Sequence, residues 1–199
     1  TLILAAISCL VGSVSLAQGL PGTENGEWRY LGGDAGHTRS SPLDQINRSN
    51  FADLEQAWLW RGDNFGSSLD YFSRSTPIYV DGILYTVATP RRQVVAIDPE
   101  TGENLWTFRE PETIRHQRSP RQAYGKGVAY ADVNGRGVIY VTTPGFFLWA
   151  LDAKTGRPLE NWGSEFPVGR FPETGVIDLI PKLVEDWGPW QDFIVAGGK

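Results

Sequence analysis

The sequence predicts an all-β protein made of repeated four-stranded units: a partial β-propeller of about two blades and the start of a third. Three observations lead to this fold class. Beyond Gly19 there is no helical periodicity of useful length, and short β-branched and aromatic runs alternate with Gly, Pro, Asn and Asp. Asp-Gly and Asn-Gly pairs, typical of tight hairpins, separate several runs. The same pattern then recurs about fifty residues along the chain, as propeller blades do.

The first unit, residues 74–108, has the pattern of a four-stranded antiparallel meander. The Asp81-Gly82 pair separates its first two runs and favours a hairpin, because both turn residues must reach positive φ. A turn at residues 89–92 and the turn from Asp98 to Gly102 separate the other runs. The four predicted strands are 77–80, 83–87, 93–97 and 104–108.

The second unit, residues 127–162, repeats this order, with an Asn134-Gly135 hairpin and a delayed fourth strand near Trp162. Its first three predicted strands are 127–130, 138–141 and 147–151. When the sequence is compared with itself at a fixed offset of 54 positions, identical residues align without a gap, which indicates a true repeat. The identical pairs are Val87/Val141, Thr89/Thr143, Pro90/Pro144, Ala96/Ala150, Asp98/Asp152, Thr101/Thr155, Gly102/Gly156 and Leu105/Leu159.

The shared Asp-x-x-Thr-Gly turns begin at Asp98 and Asp152 and have a structural interpretation. We expect each carboxylate to accept hydrogen bonds from the backbone amides of the Thr-Gly pair, and each Gly to take the left-handed position. Trp106 follows the first turn on the outer strand, where a large apolar side chain is expected to pack against the neighbouring blade.

The first eighteen residues carry no charge and are typical of an export signal. Ser15 and Ala17 are small residues two apart, as a signal peptidase requires. A transmembrane anchor is the alternative, but Gly12 and several Ser or Cys positions leave the apolar run short for a bilayer. We expect residues 1–18 to be a signal peptide whose basic start is missing, because the sequence contains no Met.

Composition excludes several classes of protein. A single cysteine in 199 residues rules out a disulfide scaffold, and 41% hydrophobic residues with 12% aromatics rule out disorder. A net charge of −5 offers no basic patch for phosphates, so nucleic acid is excluded as a partner. His37 and His116 are too few and too far apart for a zinc site, and no metal ligand is assigned.

Two segments resemble a known family. Residues 96–106, AIDPETGENLW, resemble the tryptophan-docking motif of pyrroloquinoline quinone (PQQ) propellers. Residues 27–46, EWRYLGGDAGHTRSSPLDQI, resemble the more diagnostic amino-terminal signature of PQQ-dependent dehydrogenases of the glucose and alcohol branch. Residues 50–58 resemble the strand that follows this signature, which in the family helps close the ring beside the last blade.

The resemblance implies an eight-bladed propeller with PQQ and a calcium ion on its axis. It also implies an Asp that acts as general base, and hydride transfer to the quinone. In the family the calcium ligands and the catalytic Asp lie in later blades, so we expect them after Lys199 and expect the 199 residues alone to be inactive. The implied organisation is a signal peptide (1–18), a leader (19–49) and an incomplete propeller (50–199).

Cofactor-binding residues are expected at inner-strand ends and in the loops beside them. Lys126 stands where the family often has an Arg on the quinone oxygens; it keeps the charge but loses the planar fork. The alternatives are that Lys126 is a solvated loop lysine, or that Arg118 or Arg121, just upstream, supplies the charge instead.

Two further pairs of residues are assigned to the cofactor by resemblance. Arg74, with Thr76 close by, stands where relatives commonly place Glu or Gln against the PQQ ring. Arg74 therefore either pairs with a PQQ carboxylate or has a structural role. Gly197 and Gly198 resemble the third-blade inner strand, whose small residues let the planar cofactor approach the backbone.

The leading hypothesis is an exported, glucose dehydrogenase-like quinoprotein that oxidises a sugar or alcohol hydroxyl and passes electrons to a quinone or cytochrome. The implied location is the periplasm or the periplasmic face of the inner membrane, with membrane association left open. The alternative is a non-enzymatic PQQ-like propeller, a scaffold or binding protein of the cell envelope. Residues 27–46 favour the dehydrogenase, because scaffold propellers do not usually carry this signature, whereas Lys126 and Arg74 favour the scaffold.

Overall fold

In the computed structural model, the described residues are 21–66, 74–88, 92–119, 127–160, 162–163 and 175–180. Eight strands in these residues form two four-stranded antiparallel sheets, each with its strands in chain order. This is the all-β architecture that the repeat predicts. The strands are β1 Ile78–Val80, β2 Ile83–Ala88, β3 Gln93–Ile97, β4 Asn104–Phe108, β5 Ala129–Val133, β6 Arg136–Thr142, β7 Phe147–Asp152 and β8 Val176–Asp178.

The two predicted hairpins form at the expected turns. Asp81 and Gly82 have φ of 49° and 78°, and Asn134 and Gly135 have φ of 55° and 79°. Positive φ at both central residues gives each turn a twist that matches the twist of the strands. The two residues that flank each turn pair with one another. We call the end of the sheets that carries these turns the hairpin end. The opposite end carries the turn at residues 143–146 and the helix α1, Ile114–Arg118, and is called the α1 end.

The Asp-x-x-Thr-Gly turns form as predicted, with one change in the hydrogen bonds. Asp152 Oδ1 accepts from the amides of Lys154 and Thr155 at 3.1 and 2.9 Å, and Asp98 Oδ1 accepts from the two residues in the matching positions. The Gly156 amide donates instead to the Asp152 backbone carbonyl at 2.8 Å. Gly156 has φ of 68°, so the glycine supplies the left-handed position that ends the turn.

The main hydrophobic core lies between the two sheets, so the repeats pack face to face as neighbouring blades. Tyr85 and Phe147 are its largest fully buried side chains. The outer face of the first sheet is covered by Trp58, Trp60 and Phe65. The buried members of the main core are Ile78, Val80, Tyr85, Val87, Val94, Ala96, Ile139, Val141, Phe147, Trp149, Leu151, Ala153 and Val176.

Trp106 docks on the second blade, which confirms its predicted packing. Its indole Nε1 donates to the Ala153 carbonyl at 2.9 Å. Its ring lies flat over Gly156, where an added Cβ would be 2.3 Å from Trp106 Cε3. The glycine therefore serves twice, by its left-handed φ and by leaving room for the ring.

Trp58 makes the same two contacts on the first blade. Its Nε1 donates to the Pro99 carbonyl at 2.9 Å, and a Cβ on Gly102 would lie 2.8 Å from Trp58 Cδ2. Residues 50–58, however, do not form the strand that the resemblance suggested. A 3-10 turn covers Phe51–Asp53, and residues 54–60 follow without a strand, because no neighbouring strand among the described residues pairs with them.

The fourth strand of the second blade lies beyond the predicted range of 127–162. It is β8, and in its sheet Gly175 stands opposite Ala150, where Trp106 stands opposite Ala96 in the first. After the turn, Leu159 pairs with β7, and Gly175 is the next described residue that pairs with it. The last identity of the 54-residue repeat falls at Leu159, so the repeat pattern carried no signal for the position of β8.

Trp162 does not lie on β8, the outer strand of the second blade. It packs on Tyr140, with ring centroids 5.7 Å apart, and helps cover the far face of the second sheet. The Gly175 amide donates to the Trp162 carbonyl at 2.7 Å, and Gly163 bridges Val176 in parallel. Residues 162–163 are therefore held against residues 175–176.

The leader covers the free edge of the inner strand β1. Trp28 and Tyr79 exchange two backbone hydrogen bonds of 2.8 and 2.9 Å. Asp34, which is 3% exposed, accepts from the amides of Gly36 and Thr38 and from the Thr38 hydroxyl. These hydrogen bonds give Asp34 and Thr38 a structural role within the signature.

Helix α1 was not predicted, because five residues are too few to show a helical period. Thr113 caps it by accepting from the His116 amide at 3.1 Å. The predicted signal peptide (1–18) and the predicted third-blade strand with Gly197 and Gly198 lie outside the described residues. Within the described ranges, no helix is long and apolar enough to cross a membrane.

Candidate functional site

The α1 end gathers the described candidate residues. Arg74 and Thr76 precede β1, which runs away from this end, so both lie at the start of the first inner strand. Gly127 holds the matching place before β5. A Cβ on Gly127 would lie 3.5 Å from Ser75 Oγ and 3.7 Å from the Thr76 carbonyl oxygen. The starts of the two inner strands are therefore in contact, side by side.

Arg74 is exposed, and Thr76 is half-buried. Among the described residues, Arg74 has neither a hydrogen-bond partner nor an ion-pair partner. Ser75 Oγ, between the two, lies 3.4 Å from Thr86 Oγ1 and is occupied within the sheet. The start of the inner strand thus offers a free guanidinium and a hydroxyl, both of which can donate to an anionic ligand rich in acceptors.

Four other candidates cannot be placed. Arg121, Lys126, Gly197 and Gly198 all lie outside the described residues. The structure brings Thr76 together with Gly127, which directly follows Lys126 in the sequence.

Residues 109–128 connect the two blades and are called the crossover; the described residues 109–119 of this connection lie at the α1 end. Arg115, on α1, donates from its two terminal nitrogens to the two carboxylate oxygens of Asp178 at 3.0 and 2.6 Å. Its guanidinium also lies 4.3 Å from the centroid of the Phe147 ring. Sequence patterns gave no sign of this pair, because its partners are 63 residues apart.

A buried carboxyl and a buried imidazole lie in the same crossover. Glu110 is 3% exposed and His116 is 5% exposed, and Glu110 Oε1 lies 3.7 Å from His116 Nδ1. Glu110 packs against Gly145 in the β6–β7 turn, where a Cβ would come within 2.5 Å of Oε1. A Cβ at position 145 would therefore force the Glu110 carboxyl to shift.

Arg92 links the α1 ends of the two blades directly. It follows the turn before β3, is 8% exposed, and donates from Nη1 to the Thr142 carbonyl at 3.1 Å. The sequence placed this arginine in a turn, with no indication that it reaches the next blade.

A second polar network lies at the hairpin end, near the inner strands. The Asp81 amide donates to Glu27 Oε1 at 3.0 Å, and the Tyr130 hydroxyl donates to Asp81 Oδ2 at 2.8 Å. Arg29 pairs with Glu27 and lies 5.3 Å from the Tyr130 ring centroid. Burial raises the pKa of Tyr130 to about 12, and the hydrogen bond to Asp81 acts in the same direction. Tyr130 is therefore a protonated donor at neutral pH, and the network is structural.

No group of three or more His, Cys, Asp or Glu side chains able to hold a metal ion occurs in the part of the chain that the structure describes. At the α1 end, Arg74 and Thr76 supply hydrogen-bond donors and a positive charge. Such a set binds and orients an anionic group.

The chain is similar to known proteins over most of its length. A family model described as "PQQ: Glucose/ethanol/alcohol dehydrogenase, beta-propeller domain" matches residues 28–185. The 1-butanol dehydrogenase (cytochrome c) of Thauera butanivorans is 37% identical over 77% of this chain and 20% of its own length. Quinoprotein glucose dehydrogenase A of Acinetobacter calcoaceticus is 33% identical over 59% of this chain and 15% of its own.

The solved structure of the quinohemoprotein alcohol dehydrogenase from Comamonas testosteroni has the same local fold. It superposes with a TM-score of 0.54 at 36% identity, over 67% of this chain and 18% of that one. The chain spans about a fifth of the length of the curated relatives it matches. Two blades with docking tryptophans, the leader and the match over residues 28–185 agree. The chain therefore belongs to the PQQ-dependent glucose, ethanol and alcohol dehydrogenase β-propeller family.

Proposed function

We propose that the protein is a periplasmic quinoprotein that oxidises the hydroxyl of an alcohol or sugar and passes the electrons to a cytochrome or a quinone. The observation that carries this proposal is the family match across both blades, together with free donors at the α1 end. A primary alcohol is the favoured substrate, because the relative with 37% identity is named for 1-butanol. Glucose is the second substrate to test, because a glucose dehydrogenase is also a relative.

The donor set at the α1 end fits PQQ, which carries carboxylates and carbonyl oxygens and so needs donors and positive charge. In this proposal Arg74 and Thr76 bind PQQ from the first inner strand, and Arg121 and Lys126 bind it from the crossover. Gly197 and Gly198 let the cofactor approach the backbone. PQQ, when bound, supplies the electron sink for the hydroxyl-bearing carbon.

The test is a dye-reduction assay on the protein expressed from its complete gene and reconstituted with PQQ and Ca²⁺. We expect PQQ-dependent dye reduction with 1-butanol, and a lower rate or none with glucose. A protein that binds PQQ but oxidises neither compound would overturn the substrate class. A protein that fails to bind PQQ would overturn the proposal in favour of an envelope scaffold.

Arg74→Glu separates a cofactor role of Arg74 from a purely structural one. Because this change places a carboxylate where a PQQ carboxylate would bind, we expect PQQ affinity to fall by about tenfold. Arg157→Glu makes the same charge change on an exposed residue at the hairpin end and is the matched control. Equal PQQ affinities for the two variants would show that Arg74 does not contact PQQ.

A further inference from the structure

The described residues contain two Asn-Gly pairs, Asn25-Gly26 in the leader and Asn134-Gly135 at the hairpin end. Asn25 and Asn134 are both exposed, with φ of 56° and 55°. The two glycines have φ of 83° and 79°. Asparagine before glycine is the sequence in which a side-chain amide is most readily lost, because glycine has no side chain to hinder attack by its backbone nitrogen. The two pairs are therefore matched sites that differ in their surroundings.

Loss of the amide proceeds through a five-membered ring. The glycine nitrogen forms a bond to Cγ of the asparagine, the Cγ–Nδ2 bond breaks, and the glycine amide proton leaves with Nδ2 as ammonia. Water then opens the cyclic imide at either carbonyl and leaves an aspartate or an isoaspartate. The net reaction is hydrolysis of an amide, with no oxidation or reduction. A hydrogen bond that holds the glycine N–H opposes the first step, because this proton must depart.

At Asn134 the attacking nitrogen is held by a carboxylate. The Gly135 amide donates to Asp132 Oδ1 at 2.8 Å, and β5 and β6 pair directly beside the turn, at Val133 and Arg136. A hydrogen bond to a charged acceptor is about twice as strong as one to a neutral acceptor. The carboxylate also repels the negative charge that develops on the nitrogen as its proton leaves. Both effects slow the reaction at Asn134.

At Asn25 the corresponding hydrogen bond is longer and its acceptor is neutral. The Gly26 amide donates to the Thr23 backbone carbonyl at 3.3 Å. A bond of this length is weaker than one at the usual distance of about 2.9 Å. The nitrogen that attacks Asn25 is therefore less restrained than the nitrogen of Gly135.

We propose that Asn25 is a site of spontaneous deamidation, and that the Asp132 carboxylate protects Asn134 from the same reaction. Water is the co-reactant, and ammonia is the product released. The proposal concerns the leader and the hairpin end, so it does not depend on the proposed function.

The modification falls where the leader meets the first blade. Its new carboxylate stands in the sequence between Glu24 and Glu27, and the isoaspartate form adds one methylene to the main chain. Asn25 lies three residues before Trp28, whose two backbone bonds with Tyr79 cover the edge of β1. Deamidation at Asn25 therefore loosens the leader at the strand edge that it covers.

Peptide mass spectrometry of the protein expressed from its complete gene tests the assignment of the site. The intact protein is incubated at mildly alkaline pH and then digested with trypsin, which separates the two sites, because one peptide ends at Arg29 and another covers residues 127–136. We expect Asn25 to lose its amide about tenfold faster than Asn134. Equal rates, or a faster reaction at Asn134, would overturn the proposal.

Asp132→Ala tests the protection of Asn134. Loss of the carboxylate frees the Gly135 amide, so we expect the rate at Asn134 to rise about tenfold while the rate at Asn25 stays the same. Asp132→Asn keeps an acceptor without the charge, so it should give an intermediate rate, and it is the test variant if Asp132→Ala does not fold. Glu103→Ala is the matched control, because it removes another exposed carboxylate at the hairpin end and leaves the Gly135 hydrogen bond in place. An unchanged rate at Asn134 in both Asp132 variants would overturn the protective role.

Hydrogen exchange tests the effect on the leader. Anion-exchange chromatography separates the deamidated protein by its added negative charge, and Asn25→Gly should form little of this fraction, because it has no side-chain amide at this position. In the separated fraction we expect a shift to faster exchange of the Tyr79 amide, which donates to the Trp28 carbonyl at 2.9 Å. Exchange of this amide at the rate of the unmodified protein would show that the leader keeps its place and would overturn the loosening.

Discussion

At the scale of single residues, the repeated unit of this protein is a tryptophan that docks on a glycine. Trp58 on Gly102 and Trp106 on Gly156 have the same geometry, and each indole donates to a carbonyl of the turn below. The sequence predicted that Trp106 would face the next blade. It gave no reason to pair Trp58 with the first blade, because the Asp-x-x-Thr-Gly turn that precedes Trp106 is absent before Trp58.

Replacing Gly156 should cost far more stability than replacing a glycine with the same backbone in open space. Gly156→Ala strains a left-handed φ and drives a Cβ into the Trp106 ring, so we expect a loss of about 3 kcal/mol or more. Gly135→Ala, at φ of 79° with no atom within 4 Å, should lose only about 1 kcal/mol. Urea unfolding of both variants measures the difference. Equal losses would mean that the ring does not rest on Gly156.

Asp152 should make stability depend on pH in the acid range. Burial opposes ionisation, but hydrogen bonds from Arg136 and Thr155 outweigh it and hold the pKa of Asp152 below its usual value. The stabilisation is therefore fully present above the unfolded pKa, about 4, and is lost as pH falls through the folded pKa. We expect Asp152→Asn to be less stable than wild type at pH 7, with the gap closing below about pH 4.

Unfolding free energies measured from pH 2 to pH 8 check the Asp152 prediction. Arg136→Gln removes one of the groups that depress the pKa, so its acid dependence should be flatter than that of wild type. A gap between Asp152→Asn and wild type that stays constant across this pH range would contradict the assignment.

At the scale of elements, β8 lies farther along the chain than the repeat predicts. Leu159 pairs with β7, Gly175 is the next described residue that does so, and the Gly175 amide donates to the Trp162 carbonyl. This contact between residues 162–163 and 175–176, which we call the neck, holds the two ends of the intervening sequence together.

Residues 164–174 should therefore be replaceable by a short Gly-Ser linker. Because the neck is already closed and loop length costs little free energy, we expect the melting temperature to change by only about 2–4 °C. Gly163→Ala is the contrasting variant: its Cβ would lie 2.1 Å from the Val176 carbonyl oxygen at a φ of 82°, so it should destabilise strongly. A linker variant less stable than Gly163→Ala would show that residues 164–174 stabilise the blade.

The elements also show which parts of the fold a sequence can specify. Strands β1 to β4 and β7 were predicted to within one residue at each end, because their turns have local chemical requirements. β5 and β6 extend to the Asn134-Gly135 turn, so they differ by up to three residues from the predicted 127–130 and 138–141. β8 was missed because the repeated identities end at Leu159, and α1 because five residues show no period. The contacts of Arg115 and Glu110 were missed because they join distant parts of the chain.

At the scale of the whole molecule, the leader completes the inner edge of the first blade. Its two backbone bonds with Tyr79 occupy groups that would otherwise be open to pairing with another chain. Glu27 and Arg29 then tie the leader to Asp81 and, through Tyr130, to the second blade. The leader is therefore part of the fold.

Deleting residues 21–50 should produce a protein that self-associates. The edge of β1 would be unpaired, and exposed strand edges recruit one another. Light scattering coupled to gel filtration, over a range of concentrations, should show oligomers that the intact chain does not form. Glu27→Gln is the control, because it weakens the polar network and leaves the Trp28–Tyr79 bonds in place. A monomeric deletion variant would contradict the edge-covering role.

The docking tryptophans set an order for biosynthesis. Trp58 precedes the first blade, on which it docks, and Trp106 precedes the second. Each tryptophan is therefore synthesised before the turn that receives it. Each newly made turn therefore finds its tryptophan already synthesised. The docking contacts between successive elements follow the order of the chain.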